Sequence, residues 1–248
     1  MSTAGTSPSL LCKLINRRQV AENTFAFHFE KPPGWVFKAG QSVDMTLIDP
    51  PETDAEGNTR AFTIASSPQE EHLMVATRMR NTACKRVLGT LPLGTAVKID
   101  GPFGNLTLHN NAARAAVLLA GGIGITPFRS MVFHAAREKL PHRIFLFYSN
   151  RRPEDAAFLD ELEILEKENP NFKLIATMTG MEKSQRVWKG ERGLINEEML
   201  SRYLKDAKSP TPIHYIAGPP GMVAGLRGVL NKAGVDDDDI RAEEFAGY

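Results

Sequence analysis

The stretch that most restricts the fold is Ala115-Ala116-Val117-Leu118-Leu119-Ala120, an unbroken apolar run that leads straight into Gly121-Gly122-Ile123-Gly124-Ile125-Thr126-Pro127. A strand with one wet face alternates polar and apolar residues, whereas a strand buried on both faces does not. The run therefore predicts a central strand of a parallel sheet covered by helices on both sides. The glycines at its end allow close approach to a ligand. The following helix, read over Phe128 to Lys139 with Phe128, Met131, Val132 and Ala135 at helical spacing, begins at the same point.

The chain beyond this run keeps that rhythm. Strands are expected at Arg143–Ser149, Lys173–Thr179, Ile213–Ala217 and Asp239–Phe245, separated by helices at Ala156–Glu168, Asn196–Leu204 and Gly221–Lys232. Strand and helix in alternation imply a doubly wound parallel sheet. The residues before the run read differently. Thr24–Phe29 alternates with Phe25, Phe27 and Phe29 on one side, and short strands follow at Ser42–Ile48, Arg60 onward, His72–Arg78 and Ala96–Asp100. Short strands separated by turn signals suggest a closed antiparallel β-barrel. Gly101-Pro102-Phe103-Gly104 is read as a tight turn closing it, and Asn110–Ala113 as the linker. The expected organisation is a barrel over residues 1–111 and an α/β unit over 112–248.

Within the barrel, Arg60-Ala61-Phe62-Thr63-Ile64-Ala65-Ser66 places a guanidinium, an aromatic ring and a hydroxyl close together on a strand. Arginine pairs bidentately with phosphate, an aromatic ring stacks on a flat heterocycle, and threonine both donates and accepts. The same stretch alone also describes an ordinary edge strand. Its weight comes from order and spacing: Arg60–Ser66, Gly101–Gly104, Gly121–Pro127 and Gly218-Pro219-Pro220-Gly221-Met222 span most of the chain. Together they resemble the ferredoxin–NADP reductase superfamily.

That resemblance implies a flavin, FAD with FMN as the alternative, held by the barrel, and NADPH or NADH held by the sheet. It assigns Arg60 to the flavin phosphate, Phe62 to a face of the flavin ring and Thr63 to its reactive nitrogen, with Ala61 beside them. It adds Thr77 and Arg78 at the end of their strand, and Thr82, Ala83 and Cys84 at a helix start over the phosphates, Thr82 being the expected N-cap. Glu243 and Phe245 in the tail would lie against the ring, with Tyr248 competing for the place of Phe245. Gly122, Gly124, Thr126, Gly218, Pro219 and Met222 would contact the nucleotide; apart from the resemblance, Arg151 and Arg152 end a strand and have the chemistry to hold its ribose or 2′-phosphate, a solvated surface pair being the alternative. Lys183–Arg186 is a competing basic site, so the choice of nucleotide stays open.

Composition narrows the partners. Thirty basic and twenty-nine acidic side chains give a net charge of +1, which recruits neither nucleic acid nor membrane. Two cysteines, Cys12 and Cys84, cannot ligate a plant-type iron–sulfur cluster, which takes four, so an iron–sulfur partner would sit on another polypeptide. No metal site is expected, since the histidines are scattered and Asp236–Asp239 lacks spaced partners. Without a secretory signal or a membrane-length apolar segment, a cytoplasmic monomer is the expectation. The reading is an NAD(P)H-dependent flavin oxidoreductase passing electrons to a separate acceptor such as ferredoxin, flavodoxin or an oxygenase component. Two alternatives are a reductase that releases free reduced flavin and a non-catalytic electron-transfer or nucleotide-binding subunit.

Overall fold

A computed structural model describes residues 9–205, 207 and 210–246. Six strands form the first sheet: β1 (Leu10–Ala21), β2 (Thr24–Glu30), β3 (Ser42–Leu47), β4 (Thr59–Thr63), β5 (His72–Arg78) and β6 (Ala96–Phe103). All pair antiparallel in the order β4-β3-β6-β1-β2-β5, and the sheet closes through a single bridge between Ile64 and Val75. Cys12, Leu14, Phe27, Phe29, Val43, Met45 and Val97 fill the interior. Helix α1 (Ala83–Thr90) packs Cys84, Val87 and Leu88 onto that interior.

Strand β1 is the element that sequence reading misses. Its short apolar start, broken by Lys13, gives little sign of a strand, yet Cys12 and Leu14 alternate with Leu11 and Lys13 and point inward. Residues Leu10–Lys13 pair with β6 and Leu14–Ala21 with β2, and register shifts after Leu14 and Gln19 bend the strand between its two partners. The Gly101–Gly104 turn is likewise corrected: β6 continues through Phe103, which pairs with Ser42.

The second sheet is parallel, in the order β10-β9-β8-β7-β11-β12. Its strands are β7 (Ala116–Gly121), β8 (Ile144–Asn150), β9 (Phe172–Met178), β10 (Glu191–Arg192), β11 (Ile213–Gly218) and β12 (Ile240–Glu244). The apolar run forms β7, buried at every residue. Ala116, Leu118 and Ala120 face one layer, with α2 (Ile125–Arg137) and α3 (Leu159–Glu168). Val117 and Leu119 face the other, with α4 (Glu197–Leu204) and α5 (Pro220–Lys232). Helix α3 starts three residues later than expected, because Phe158 adopts a left-handed φ of 62° after a short 3-10 turn at Pro153–Asp155. The two-residue β10 is too short to leave a pattern.

The two units dock through α2. Ala39, Ala65, Met74 and Leu106 on the barrel exterior join the core cluster of Phe128 and Met131. At its centre Arg129, with a side chain only 5% exposed, donates to the Ala65 carbonyl at 2.8 Å and pairs with Glu70 at 3.1 Å and Glu161 at 2.7 Å. Burial alone would raise both carboxyls; Arg129 outweighs it and holds them below the usual range.

Candidate functional site

Strand order reverses between β7 and β11, so a crevice opens beyond their carboxyl ends. It is a cleft of about 440 Å³ between sheet and barrel. The sheet contributes Gly121–Ile123, Ser149–Arg151, Thr179, Pro219 and Met222; the barrel contributes Thr24, Arg78 and Arg80; Phe245 stands at the tail. Gly122 has φ +52° and nothing within 4 Å of where a side chain would begin, so it offers bare backbone to the cleft. Gly124 serves packing instead: a Cβ there would lie 2.2 Å from the Ala217 carbonyl oxygen, so only glycine lets the helix start sit on β11.

Other predicted nucleotide contacts divide the same way. Arg151 is exposed at the cleft wall. Arg152 is held by Asp155 at 2.8 Å and by Glu22 of the barrel at 2.6 Å, and those bonds raise its pKa further. Thr126 is buried and donates its hydroxyl to the Ile123 carbonyl at 3.1 Å, capping the turn from inside. Gly218 lies against Gly121, its own Cβ position 3.2 Å from that residue's backbone. Pro219 and Met222 reach the cleft. Arg80, Ser149 and Asn150 are additions that sequence reading missed; the latter two end β8 directly before Arg151, and that position at a strand's carboxyl end was the available signal.

The barrel residues gather at a different place. Strands β4 and β5 form no ladder of their own and are joined just past β4 by the Ile64–Val75 bridge, so Arg60–Thr63 and Thr77–Arg78 flank the seam where the barrel closes. Phe62 was expected on a flavin face, but the fold places it in the barrel core, 5% exposed, because pairing sets it beside inward-facing Val43. Thr63 is buried and Ala61 exposed. Thr77 is fully buried and donates to the Arg78 carbonyl at 3.4 Å. Thr82 occupies the N-cap position of α1 without a side-chain capping bond.

That cap is made from a distance. Asp54, in the loop before β4, accepts the Ala83 N–H at 3.1 Å and pairs with the Arg60 guanidinium at 3.0 Å. Burial would raise the Asp54 carboxyl; the bonds from Ala83, Glu56 and Arg60 hold it low. Beside it Lys85 donates to the Arg78 carbonyl at 2.9 Å, and burial followed by the nearby Arg80 charge lowers its pKa to about 8. Cys84 is buried, and burial raises its thiol pKa, which argues for packing rather than redox chemistry.

In the tail, the Phe245 N–H bonds the Gly218 carbonyl at 2.9 Å, extending the β11–β12 pairing into the cleft wall. Glu243 is half-buried and burial raises its pKa; among the described residues it does not line the cleft. Tyr248 lies outside the described residues. Among those residues no group of three or more His, Cys, Asp or Glu could hold a metal ion, and no helix is long and apolar enough to cross a membrane.

Comparison with known proteins agrees with this geometry. Residues 118–228 match the oxidoreductase NAD-binding domain. A component of the Na(+)-translocating NADH-quinone reductase of Pseudoalteromonas atlantica is 29% identical over 201 residues, covering 76% of this chain and 49% of that protein. The chain thus spans about half the length of the curated relatives it matches. Among solved structures, a ferredoxin NADP+ reductase from Neisseria gonorrhoeae with bound FAD and NADP superposes with a TM-score of 0.78 at 20% identity, covering 96% of this chain and 99% of that one. The ferredoxin reductase in carbazole 1,9a-dioxygenase gives 0.80 at 19%, covering 98% and 70%. The chain carries an oxidoreductase NAD-binding domain and has the two-domain fold of the ferredoxin–NADP reductase family.

Proposed function

We propose that this chain is a flavoprotein oxidoreductase that takes a hydride from NAD(P)H and passes electrons to an acceptor on a separate chain. The observation that carries the reading is the cleft itself: bare backbone at Gly122, cations at Arg78, Arg80 and Arg151, and an aromatic at Phe245 converge between barrel and sheet. When bound, a flavin supplies the hydride-accepting ring chemistry. The residues fit such a group, because Arg60 and the Ala83 N–H already hold an oxyanion, that of Asp54, as they would a phosphate. FAD is the flavin we favour; the Neisseria gonorrhoeae protein is described with FAD and NADP, and the Pseudoalteromonas atlantica relative belongs by name to an NADH-quinone reductase.

In this reading residues 1–111 bind flavin and 112–248 bind nucleotide. Gly122 and the following helix start take the pyrophosphate, Arg151 the ribose end, and Pro219 and Met222 flank the nicotinamide. Thr63 hydrogen-bonds the reactive flavin nitrogen where the seam opens. Phe245 excludes water from the ring face until nicotinamide displaces it. Glu243, two residues before Phe245 and with its carboxyl pKa raised by burial, would be the tail's acidic group toward that face. The protein works as a cytoplasmic monomer, and the acceptor is a ferredoxin, a flavodoxin or an oxygenase component.

A second reading is a reductase that uses flavin as a dissociable substrate. The Asp54 carboxylate on Arg60 favours it, since a bound flavin must first displace that contact. Purification separates the two. A yellow protein that releases near-stoichiometric flavin and reduces an artificial acceptor with NADH or NADPH supports the first reading. A colourless protein that reduces added flavin supports the second. A protein that does neither overturns both.

A further inference from the structure

The loop between β3 and β4 wraps the Arg60 guanidinium from several sides. Asp54 bridges Arg60 and the Ala83 N–H, and Glu56 pairs with the same guanidinium at 2.9 Å. Arg60 also donates to the Gly57 and Thr59 carbonyls, each at 2.8 Å. Two residues before Asp54, Glu52 accepts from the Arg86 Nε at 2.9 Å. Alternate residues 52, 54 and 56 thus clip one loop onto two cations, Glu52 on Arg86 and both Asp54 and Glu56 on Arg60. The two oxygens of Asp54 reach a guanidinium and a helix-start N–H, the donor pair that suits one phosphate group.

Building on the flavin reading, we propose that residues 49–58 form an acidic strap that competes with the flavin phosphate for Arg60 and Ala83. Asp54 is its working group. A phosphate carries more charge and more acceptor oxygens than a carboxylate, so it displaces Asp54 when flavin is abundant, and the strap closes again when flavin leaves. Apparent affinity then equals intrinsic affinity reduced by the fraction of molecules with the strap open. The effect is confined to ligands that carry phosphate, so the strap narrows the preference for FAD and FMN over riboflavin that Arg60 alone would give.

The test uses the full chain and measures dissociation constants for FAD, FMN and riboflavin by fluorescence, and for inorganic pyrophosphate by calorimetry. Asp54→Asn should tighten FAD, FMN and pyrophosphate by at least about tenfold, the scale of one charge-assisted contact, and leave riboflavin unchanged. In an Arg60→Ala background the same substitution should have a much smaller effect, because only the Ala83 N–H is still contested, and an undiminished effect overturns the competition for Arg60. Unchanged or weaker pyrophosphate and FAD binding in Asp54→Asn overturns the strap. If that variant folds poorly, Glu56→Gln keeps the Asp54–Ala83 bond and should shift pyrophosphate the same way by a smaller factor; no shift again overturns it. Tighter pyrophosphate with no flavin bound by any variant supports the strap and removes the flavin reading.

Discussion

Two helix starts in this chain, at α1 and α2, lie beside cations or bare backbone, and they are in opposite condition. At α2 the Gly122–Gly124 turn opens onto the cleft with nothing over Gly122. At α1 the first N–H and the adjacent Arg60 are already bonded to Asp54. The physics is shared, since the first N–H groups of any helix lack an i−4 carbonyl partner within it. The difference lies in what covers them. A glycine turn can stay bare because backbone fits there unaided, whereas a guanidinium mostly out of water gathers carboxylates from any loop within reach. A motif locates a cradle, while its occupancy is decided by residues far away in sequence.

The largest expected effect removes the comparison altogether. Arg129→Ala leaves the partly buried Glu70 without its cation and Glu161 with Arg18 alone, and should cost about 3 kcal/mol, read as a lower denaturant midpoint. Both sites should degrade together, because Arg129 joins barrel to sheet. The pH dependence follows from the same groups. Both carboxyls have lowered folded values, so their contribution is full above the unfolded pKa and is lost as pH falls through the folded ones. The variant should lose most of that acid sensitivity.

Gly124→Ala strikes only the open end. Its Cβ meets the Ala217 carbonyl, and backbone cannot yield as a side chain would, so about 1–3 kcal/mol of stability should go, along with most nucleotide affinity. Flavin binding at the α1 cradle should hardly change. Equal losses of both ligands would break the distinction between the two ends.

Arg151→Ala should weaken NAD(P)H by roughly tenfold, with little change in the reduction rate at saturation, because a ribose contact is made equally before and during hydride transfer. Isothermal titration beside stopped-flow reduction checks both halves. The smallest effect belongs to the tail. Phe245→Ser should tighten nucleotide by only a few-fold if the ring must be displaced, and should alter the flavin spectrum. A lower melting temperature with unchanged nucleotide affinity would mean that Phe245 is packing alone.

The sheet is more legible in the sequence than the barrel for a physical reason. In a doubly wound sheet the ligand crevice follows from strand order and glycine turns, both local signals, so Gly122, Arg151, Pro219 and Met222 could be placed at one cleft. In a closed barrel the inward face is set by pairing. Phe62 faces inward because β4 pairs with β3, and nothing within Arg60–Ser66 reveals that partner. Strand β1 hides for a related reason: its alternation is diluted by Lys13, Arg17 and Arg18, and its length follows from serving two neighbours in turn. The Asp54–Ala83 contact spans 29 positions and has no local sign at all.

If the cleft brings a nicotinamide to a flavin held by the barrel, hydride should pass between them in a single turnover. The direct measurement is an anaerobic titration in which the full chain is loaded with FAD and mixed with NADH or NADPH while the visible flavin band is followed. One equivalent of at least one nucleotide should bleach the band, and Gly124→Ala should slow or abolish the bleaching. A band unchanged by either nucleotide, on protein shown to hold FAD, would contradict that role for the cleft.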